Sequence, residues 1–187
     1  MRADLVRTFS VLLILVTAPL VAFGEPAKTR EASKISAETM RYLEDGSRYY
    51  VQHEYREAIG PYTKALDLEK KHPTLDHDLW RVLIDNLGMA YGISGDLAAA
   101  KVTFEYGLSK DATYPMFYYN LACTYAEMND LNGAIDNLRL AFRYRDNMIR
   151  GERMPDPAVD DSFQRFLKNE RFVAVLREIR SGRSESK

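Results

Sequence analysis

The feature that most constrains this chain is an internal repeat with a fixed spacing. Three segments each carry five small or bulky apolar residues, separated by steps of 3, 9, 4 and 3 residues. The second and third segments are offset by 34 residues, and the first and second by 42, which is 34 plus 8. The segments are Gly46, Tyr49, Ala58, Tyr62, Ala65; Gly88, Tyr91, Ala100, Phe104, Gly107; and Ala122, Tyr125, Ala134, Leu138, Ala141. The small residues predict close helix crossings, because larger side chains would push the axes beyond about 8–10 Å.

The repeat resembles the tetratricopeptide repeat, most clearly in the runs LGMAY at 87–91 and LACTY at 121–125. The resemblance covers residues 36–146 and implies an all-α, right-handed α-solenoid of three helical hairpins. The repeats would span about 39–72, 81–114 and 115–148. The positions that the resemblance assigns to packing between helices are Gly46, Tyr49, Ala58, Gly88, Tyr91, Ala100, Ala122, Tyr125 and Ala134.

Turn signals divide each hairpin into two helices. Gly95-Asp96 and Asn129-Asp130 end one helix and place an aspartate where it can cap the next. Pro115 suits the first turn of the third repeat's first helix. The eight extra residues between the first two repeats fit the polar stretch 70–78, which we expect to form an exposed loop.

Residues 147–187 are predicted to close the stack, because the last helix of a solenoid leaves an apolar face that needs a cap. Phe163, Phe166 and Leu167 recur at helical spacing, and Phe172, Leu176 and Ile179 repeat it. We therefore expect two short amphipathic capping helices and a disordered tail from Ser181. The stretch 160–176 is also similar to the segment that often closes bacterial tetratricopeptide arrays, with Phe172 packed back on the last hairpin.

The N-terminal segment differs from the rest of the chain. Arg2 and Arg7 precede a run from Phe9 to Phe23 that is apolar apart from a serine, a threonine and a proline. Small residues at 22 and 24 fit a cleavage site before Glu25. These parts predict a secretory signal peptide over 1–24, followed by a flexible lead-in over 25–35. An uncleaved signal anchor is the alternative, and both place the rest of the chain outside the cytoplasm, most simply in a bacterial periplasm or secreted.

Composition excludes several other classes of protein. The 26 basic residues are balanced by 27 acidic ones, for a net charge of −1, so nothing indicates nucleic-acid binding. Cys123 is the single cysteine, so no intrachain disulfide can form and stability must come from an apolar core. After signal cleavage we expect no membrane association.

The resemblance also implies a binding surface, since first helices line the concave face in this family. Asn86 and Asn120 are equivalent, 34 residues apart, and an asparagine there commonly bonds a bound peptide's backbone; capping or packing within the hairpin is the alternative. The implied groove is aromatic, methionine-rich and weakly acidic, which suits an apolar or amphipathic segment. Its residues would be Leu43, Tyr50, Asp85, Asn86, Met89, Ile93, Met116, Tyr119, Asn120 and Cys123.

Candidates for chemistry are weak. His72, Asp76, His77 and Asp78 lie together but lack a recognised metal-ligand spacing. Asp156, Asp160 and Asp161 lack the spacing of a calcium loop and are expected in a solvated turn. Cys123 has no predicted base beside it, so a packed or groove-facing thiol is expected. We expect no cofactor, no metal site and no catalytic residue.

The sequence therefore predicts an exported, non-enzymatic scaffold that binds a peptide or helix of an envelope protein in its concave groove. A self-associating structural module is the first alternative, and an enzyme or metalloprotein on the same fold is the second. The sequence names neither the partner nor the pathway.

Overall fold

The computed structural model describes residues 27–181, so the predicted signal peptide and the tail beyond Ser181 lie outside the described residues. The described chain is helical and contains no strand. Its α-helices are α1 Ala27–Val51, α2 Tyr55–Lys71, α3 His77–Ile93, α4 Leu97–Lys110, α5 Pro115–Glu127, α6 Leu131–Arg143 and α7 Glu170–Arg180. Two 3-10 helices span Arg145–Asn147 and Asp161–Phe166. None of these helices combines the length and apolarity that crossing a bilayer needs.

Consecutive helices pack as neighbours, which gives three hairpins, α1–α2, α3–α4 and α5–α6, stacked in chain order. The second helix of each hairpin also contacts the first helix of the next. This architecture is the all-helical stack of paired helices that the repeat predicted.

The hairpin turns share one backbone geometry. His53, Gly95 and Asn129 occupy equivalent positions, and all three have a positive φ, of 62°, 93° and 60°. Asp96 and Asp130 then cap α4 and α6 by accepting hydrogen bonds from the backbone nitrogens of Ala99 and Gly133, both at 3.0 Å. At the equivalent position in the first hairpin, Glu54 makes no side-chain cap.

Small residues on the first helices receive aromatic rings from the second helices. A Cβ at Gly46 would lie 2.5 Å from Cδ1 of Tyr62, and one at Gly88 would lie 2.5 Å from Cε1 of Phe104. Ala58, Ala100 and Ala134 on the second helices are fully buried. The helices therefore cross so closely that an aromatic ring occupies the space where a side chain of each glycine position would lie.

The extra residues of the first repeat lengthen its helices rather than its loop, which differs from the prediction. Relative to the equivalent ends at Lys110 and Pro115, α2 continues three residues further and α3 starts four residues earlier. The connection 72–76 is only one residue longer than 111–114. Buried Glu69 holds this connection by accepting from the backbone nitrogen and hydroxyl of Thr74, at 2.9 and 2.6 Å.

The lead-in is also more regular than predicted, because α1 already begins at Ala27. Residues 31–34 are exposed, so tertiary packing does not hold this part of the helix. Lysine, arginine, glutamate and alanine are good helix formers, and extending a formed helix avoids the cost of a new nucleus. The packed part of α1 therefore propagates toward the N-terminus.

The C-terminal segment forms a fourth, degenerate unit. On α7, Arg171 and Glu178 pair with Asn132 and Arg139 of α6, and both pairs are 39 residues apart, so the two helices run parallel. Between α6 and α7 the chain runs alongside α5 in the same direction. The first helix of a fourth hairpin would follow the same path. Asp161–Phe166 and α7 are the two short C-terminal helices that we predicted around Phe163 and Phe172, and the first of them is a 3-10 helix rather than an α-helix. Pro155 and Pro157 disfavour an α-helix over 154–158, because proline cannot donate the bonds that an α-helix requires.

Candidate functional site

The first helix of the third hairpin is covered on nearly every side. Ten of the 13 residues of α5 are buried, including Met116, Tyr119 and Cys123. Neighbouring helices cover part of this surface, and residues 148–160, which we call the cover segment, account for contacts on the inner face. The third repeat therefore does not present an open groove.

The predicted groove residues divide into a buried majority and an accessible minority. Asp85 and Asn86 are half-buried, and Ile93 is 38% exposed. The seven that are buried are Leu43, Tyr50, Met89, Met116, Tyr119, Asn120 and Cys123. The expectation that all ten line an accessible groove is therefore corrected. Tyr50 illustrates the reason in the first hairpin, because its ring packs edge-on against Tyr55 and Tyr62 of α2.

The two equivalent asparagines make bonds within the array. Asn120 Nδ2 donates to Asp85 Oδ1 at 2.7 Å, which joins α5 to α3. Asn86 Nδ2 donates to the hydroxyl of Tyr62 at 3.2 Å, which joins α3 to α2. Both amide nitrogens therefore bond between neighbouring hairpins, rather than capping a helix or packing within one hairpin.

Two accessible apolar residues remain at the C-terminal ends of α1 and α3, the first helices of the first two hairpins. Val51 and Ile93 occupy equivalent positions at the last residues of α1 and α3, and they are 54% and 38% exposed. The third equivalent is Glu127, whose carboxylate accepts from Arg165 Nη2 of the C-terminal unit at 3.0 Å. The ends of α1 and α3 thus carry exposed aliphatic residues, whereas the end of α5 carries a glutamate in an exposed ion pair.

Carboxylates attach the cover segment to α5. Tyr114, at the start of α5, donates to Glu152 Oε1 at 2.8 Å, and Tyr119 donates to Asp160 Oδ2 at 3.0 Å. Burial, aided by the charges of Asp85 and Glu152, raises the pKa of Tyr114 far above its usual range. Its phenol therefore stays protonated and remains a donor. The predicted solvated turn at Asp160 is thus a half-buried anchor.

A charged network lies beside this attachment point. Arg81 of α3 holds Asp111 through Nε and Nη2, both 2.7 Å from Oδ2, and its guanidinium lies 4.7 Å from the ring centroid of Tyr114. His77 Nε2 is 3.1 Å from the same oxygen of Asp111. Burial acts to raise the pKa of Asp111, but hydrogen bonds from Arg81 and Thr113 outweigh it and lower that pKa.

The candidate metal ligands are engaged structurally. Asp76 caps α3 by accepting from the backbone nitrogen of Leu79 at 2.8 Å, and Asp78 lies 3.5 Å from Arg81. Across residues 27–181, no group of three or more histidine, cysteine or acidic side chains is placed to hold a metal ion. Cys123 is buried with Sγ 3.9 Å from Asp160 Oδ2, so it is the packed thiol that was one of the two expectations.

Sequence reasoning missed Tyr114, Arg81, Asp111, Glu152 and Met154. All five lie outside the repeated positions, and the cover segment has no helical periodicity to draw attention to it. The one available signal was composition, since residues 148–157 carry two methionines, an isoleucine and a glutamate beside two prolines.

Comparison with known families supports the repeat. A family model described as "Tetratricopeptide repeat" matches residues 117–147, which cover nearly all of the third hairpin. No curated protein matches the chain. The family match and the helical architecture together fit a tetratricopeptide-repeat protein, and a repeat of this kind generally serves as a protein–protein interaction module.

Proposed function

We propose that this protein is an exported, non-enzymatic scaffold that binds a segment of another protein along the inner face of its first two hairpins. The observation that carries the proposal is the pair of exposed aliphatic residues, Val51 and Ile93, at equivalent positions on neighbouring helices. In a stack of hairpins such a pair forms a ready-made site for an apolar strip on a partner.

The partner we propose is an apolar or amphipathic segment of an envelope protein. Val51 and Ile93 are aliphatic, and the half-buried Asp85 and Asn86 supply polar groups nearby on α3. A mixed surface of this kind suits an amphipathic chain, because apolar anchors give affinity and a few polar groups fix orientation.

Co-purification tests the proposal. Residues 25–187 with the double change Val51→Glu and Ile93→Glu should lose a partner that the unaltered chain retains, because two charges would be buried in an apolar contact. Val102→Glu is the matched control, since Val102 is a 64% exposed valine on the second helix α4. If the partner is retained by the double variant or lost from the control, the inner-face site is ruled out. Met89 and Tyr119 are unsuitable for this test, because both are buried and a glutamate there would disrupt folding.

Export is the second part of the proposal and has its own test. The basic start, the apolar run 9–23 and the small residues before Glu25 support it. The chain recovered from the source cell should begin at Glu25 and fractionate outside the cytoplasm. A cytoplasmic protein that retains Met1 would contradict export without affecting the binding site.

A further inference from the structure

The cover segment occupies surface that a groove of this kind would offer to a ligand. It lies along α5 through turns at 149–152 and 156–159, from Met148 near the start of the helix to Asp160 beside Tyr119. We propose that it is a displaceable internal competitor, exchanged for a partner's extended segment that carries a carboxylate flanked by methionine-sized apolar side chains. This inference rests on the proposed function, since it supplies the ligand chemistry and the regulation of the same inner face.

The polar contacts define the carboxylate requirement. Glu152 accepts from Tyr114 through one oxygen and from the backbone nitrogen of Ile149 through the other, at 2.8 and 3.0 Å. The positive charge of Arg81 also acts on Glu152, while Asp78 opposes it. A phenol donor with a guanidinium nearby can hold a carboxyl group, and burial in this site favours the protonated form of that group.

The apolar contacts define the flanking side chains. Met148, Ile149 and Met154 are partly buried against the core cluster that contains Met89 and Met116. Met40 belongs to the same cluster, which therefore includes five of the chain's seven methionines. Methionine adapts to irregular apolar shapes, so this face can accept one segment in place of another without requiring one particular set of apolar side chains.

The backbone of the cover segment is weakly attached. Among the described residues, no backbone–backbone hydrogen bond joins residues 148–160 to α3 or α5. The segment has no helix or strand between Met148 and Asp160, and Gly151 has a φ of 99°. Segments with few backbone bonds to the core open locally at low free-energy cost. The neighbouring α7, by contrast, buries Phe172, Val175, Leu176 and Ile179, so we expect it to stay in place when the cover segment opens.

Tethering explains why the groove is closed at rest. A segment joined to its site by a short chain acts at an effective concentration on the order of millimolar. A competing partner in solution must therefore bind far more tightly than the cover segment, or the cover segment must be weakened first.

A peptide supplied in trans tests the exchange. The probe is a labelled peptide with this chain's own sequence from 147 to 161, titrated against residues 25–187, which contain every contact described above. Glu152→Ala with Met154→Ser in the protein removes the carboxylate and one apolar anchor from the cover segment and leaves its binding surface intact. We expect this variant to bind the peptide with a Kd lower by about tenfold or more than the unaltered protein does.

Two controls make the result specific. Arg153→Ser with Val159→Ser changes exposed residues of the same segment and should leave peptide binding as weak as in the unaltered protein. A peptide carrying the Glu152→Ala and Met154→Ser changes should bind none of the proteins. Equal binding by the weakened and unaltered proteins, including no binding by either, would make the cover segment a permanent part of the fold and overturn the inference.

Hydrogen exchange on the unaltered protein provides a measurement that needs no variant. Amides of residues 148–160 should exchange faster than those of α5 and α7, and excess peptide should accelerate them further. Exchange in the cover segment as slow as in α5 would contradict displacement. This outcome is distinct from failure of the proposed function. If a partner is captured equally well with the cover segment intact or weakened, the scaffold function stands and the competitor role fails. If the peptide exchanges but no partner is captured, the competitor role stands and the scaffold function fails.

Discussion

At the scale of single residues, the repeat is a set of matched pairs. Gly46 and Gly88 face Tyr62 and Phe104, and the third repeat has Ala122 and Leu138 at the equivalent positions. A larger residue on the first helix thus accompanies a smaller one on the second. The sequence predicted that these positions pack, but only the structure shows which ring fills which glycine.

Gly88→Ala tests this pairing. The new Cβ would lie 2.5 Å from buried Phe104, so the substitution should reduce the free energy of unfolding by about 1–3 kcal/mol through overpacking. Adding Phe104→Leu recreates the pair of the third repeat and should cost less than the sum of the two single changes. Urea unfolding of the two single variants and the double variant measures the coupling. If the changes in unfolding free energy of the two single variants add strictly, the side chains at positions 88 and 104 do not compete for the same space.

The binding residues were harder to predict than the packing residues. Asn86 and Asn120 stood at positions that the resemblance assigned to a ligand, yet each finds a partner inside the array. Spacing along a helix fixes which residues share a face, but it does not reveal what an irregular segment elsewhere in the chain places against that face. Glu152 and Met154 were missed for the same reason.

At the scale of elements, the three hairpin turns show how similar geometry tolerates different residues. Histidine, glycine and asparagine all adopt the left-handed conformation at equivalent positions. The aspartates that follow in the second and third hairpins supply caps, whereas Glu54 in the first makes none. The start of α2 is therefore the least well capped of the three.

Glu54→Asp should repair this cap. A shorter carboxylate at that position can accept from the backbone nitrogen of Glu57, as Asp96 does from Ala99, and a new cap stabilises by about 1 kcal/mol. Asp96→Ala is the reciprocal variant and should destabilise by a similar amount. Thermal unfolding of both compares them directly. A lower Tm for the aspartate variant would mean that the turn at His53 does not allow the capping geometry.

Helices were predictable from the sequence, whereas the irregular segments were not. The turn residues and apolar spacing predicted all three hairpins and the amphipathic α7. Seven of the eight extra residues of the first repeat went into longer helices, and four of these lie in α3, because Asp76 begins that helix one turn early. The path of the cover segment depends on tertiary contacts through Glu152 and Asp160, which leave no periodic trace in the sequence.

At the scale of the whole molecule, two carboxylates couple stability to pH with opposite signs. Burial raises the pKa of Glu152 above its ordinary value, so the folded state binds its proton more tightly than the unfolded state does. Its contribution is fully present below the ordinary glutamate pKa and is lost as pH rises through the raised value. For Asp111 the pKa is lowered, so its contribution is present above the ordinary aspartate pKa and is lost as pH falls through the lowered value.

Unfolding free energies between about pH 3 and about pH 7 separate the two groups. Relative to the unaltered protein, Glu152→Gln should gain stability as pH rises across this window. Asp111→Asn should be destabilising at neutral pH, because Arg81 loses its buried partner, and the deficit should shrink at the acid end. Parallel pH profiles for all three proteins would contradict both assignments.

The stack as a whole leaves one part of its inner face open and closes the rest with its own chain. Val51 and Ile93 are accessible at the first two repeats, while the cover segment and the Arg165–Glu127 pair close the third. In the proposed scaffold, Val51 and Ile93 are the free anchoring residues and the cover segment regulates the surface beside them. That arrangement is the basis of the proposed scaffold function.

Site-specific photo-crosslinking in the source cell tests the scaffold function most directly. A photoreactive residue is placed singly at Val51, Ile93 or Val102, and adducts are identified by mass spectrometry. We predict that positions 51 and 93 capture one common partner protein and that position 102, on the exposed side of α4, does not. Adducts only at position 102, adducts that contain only a second copy of this chain, or no adduct at 51 and 93 would contradict the inner face as the site where this protein binds its partner.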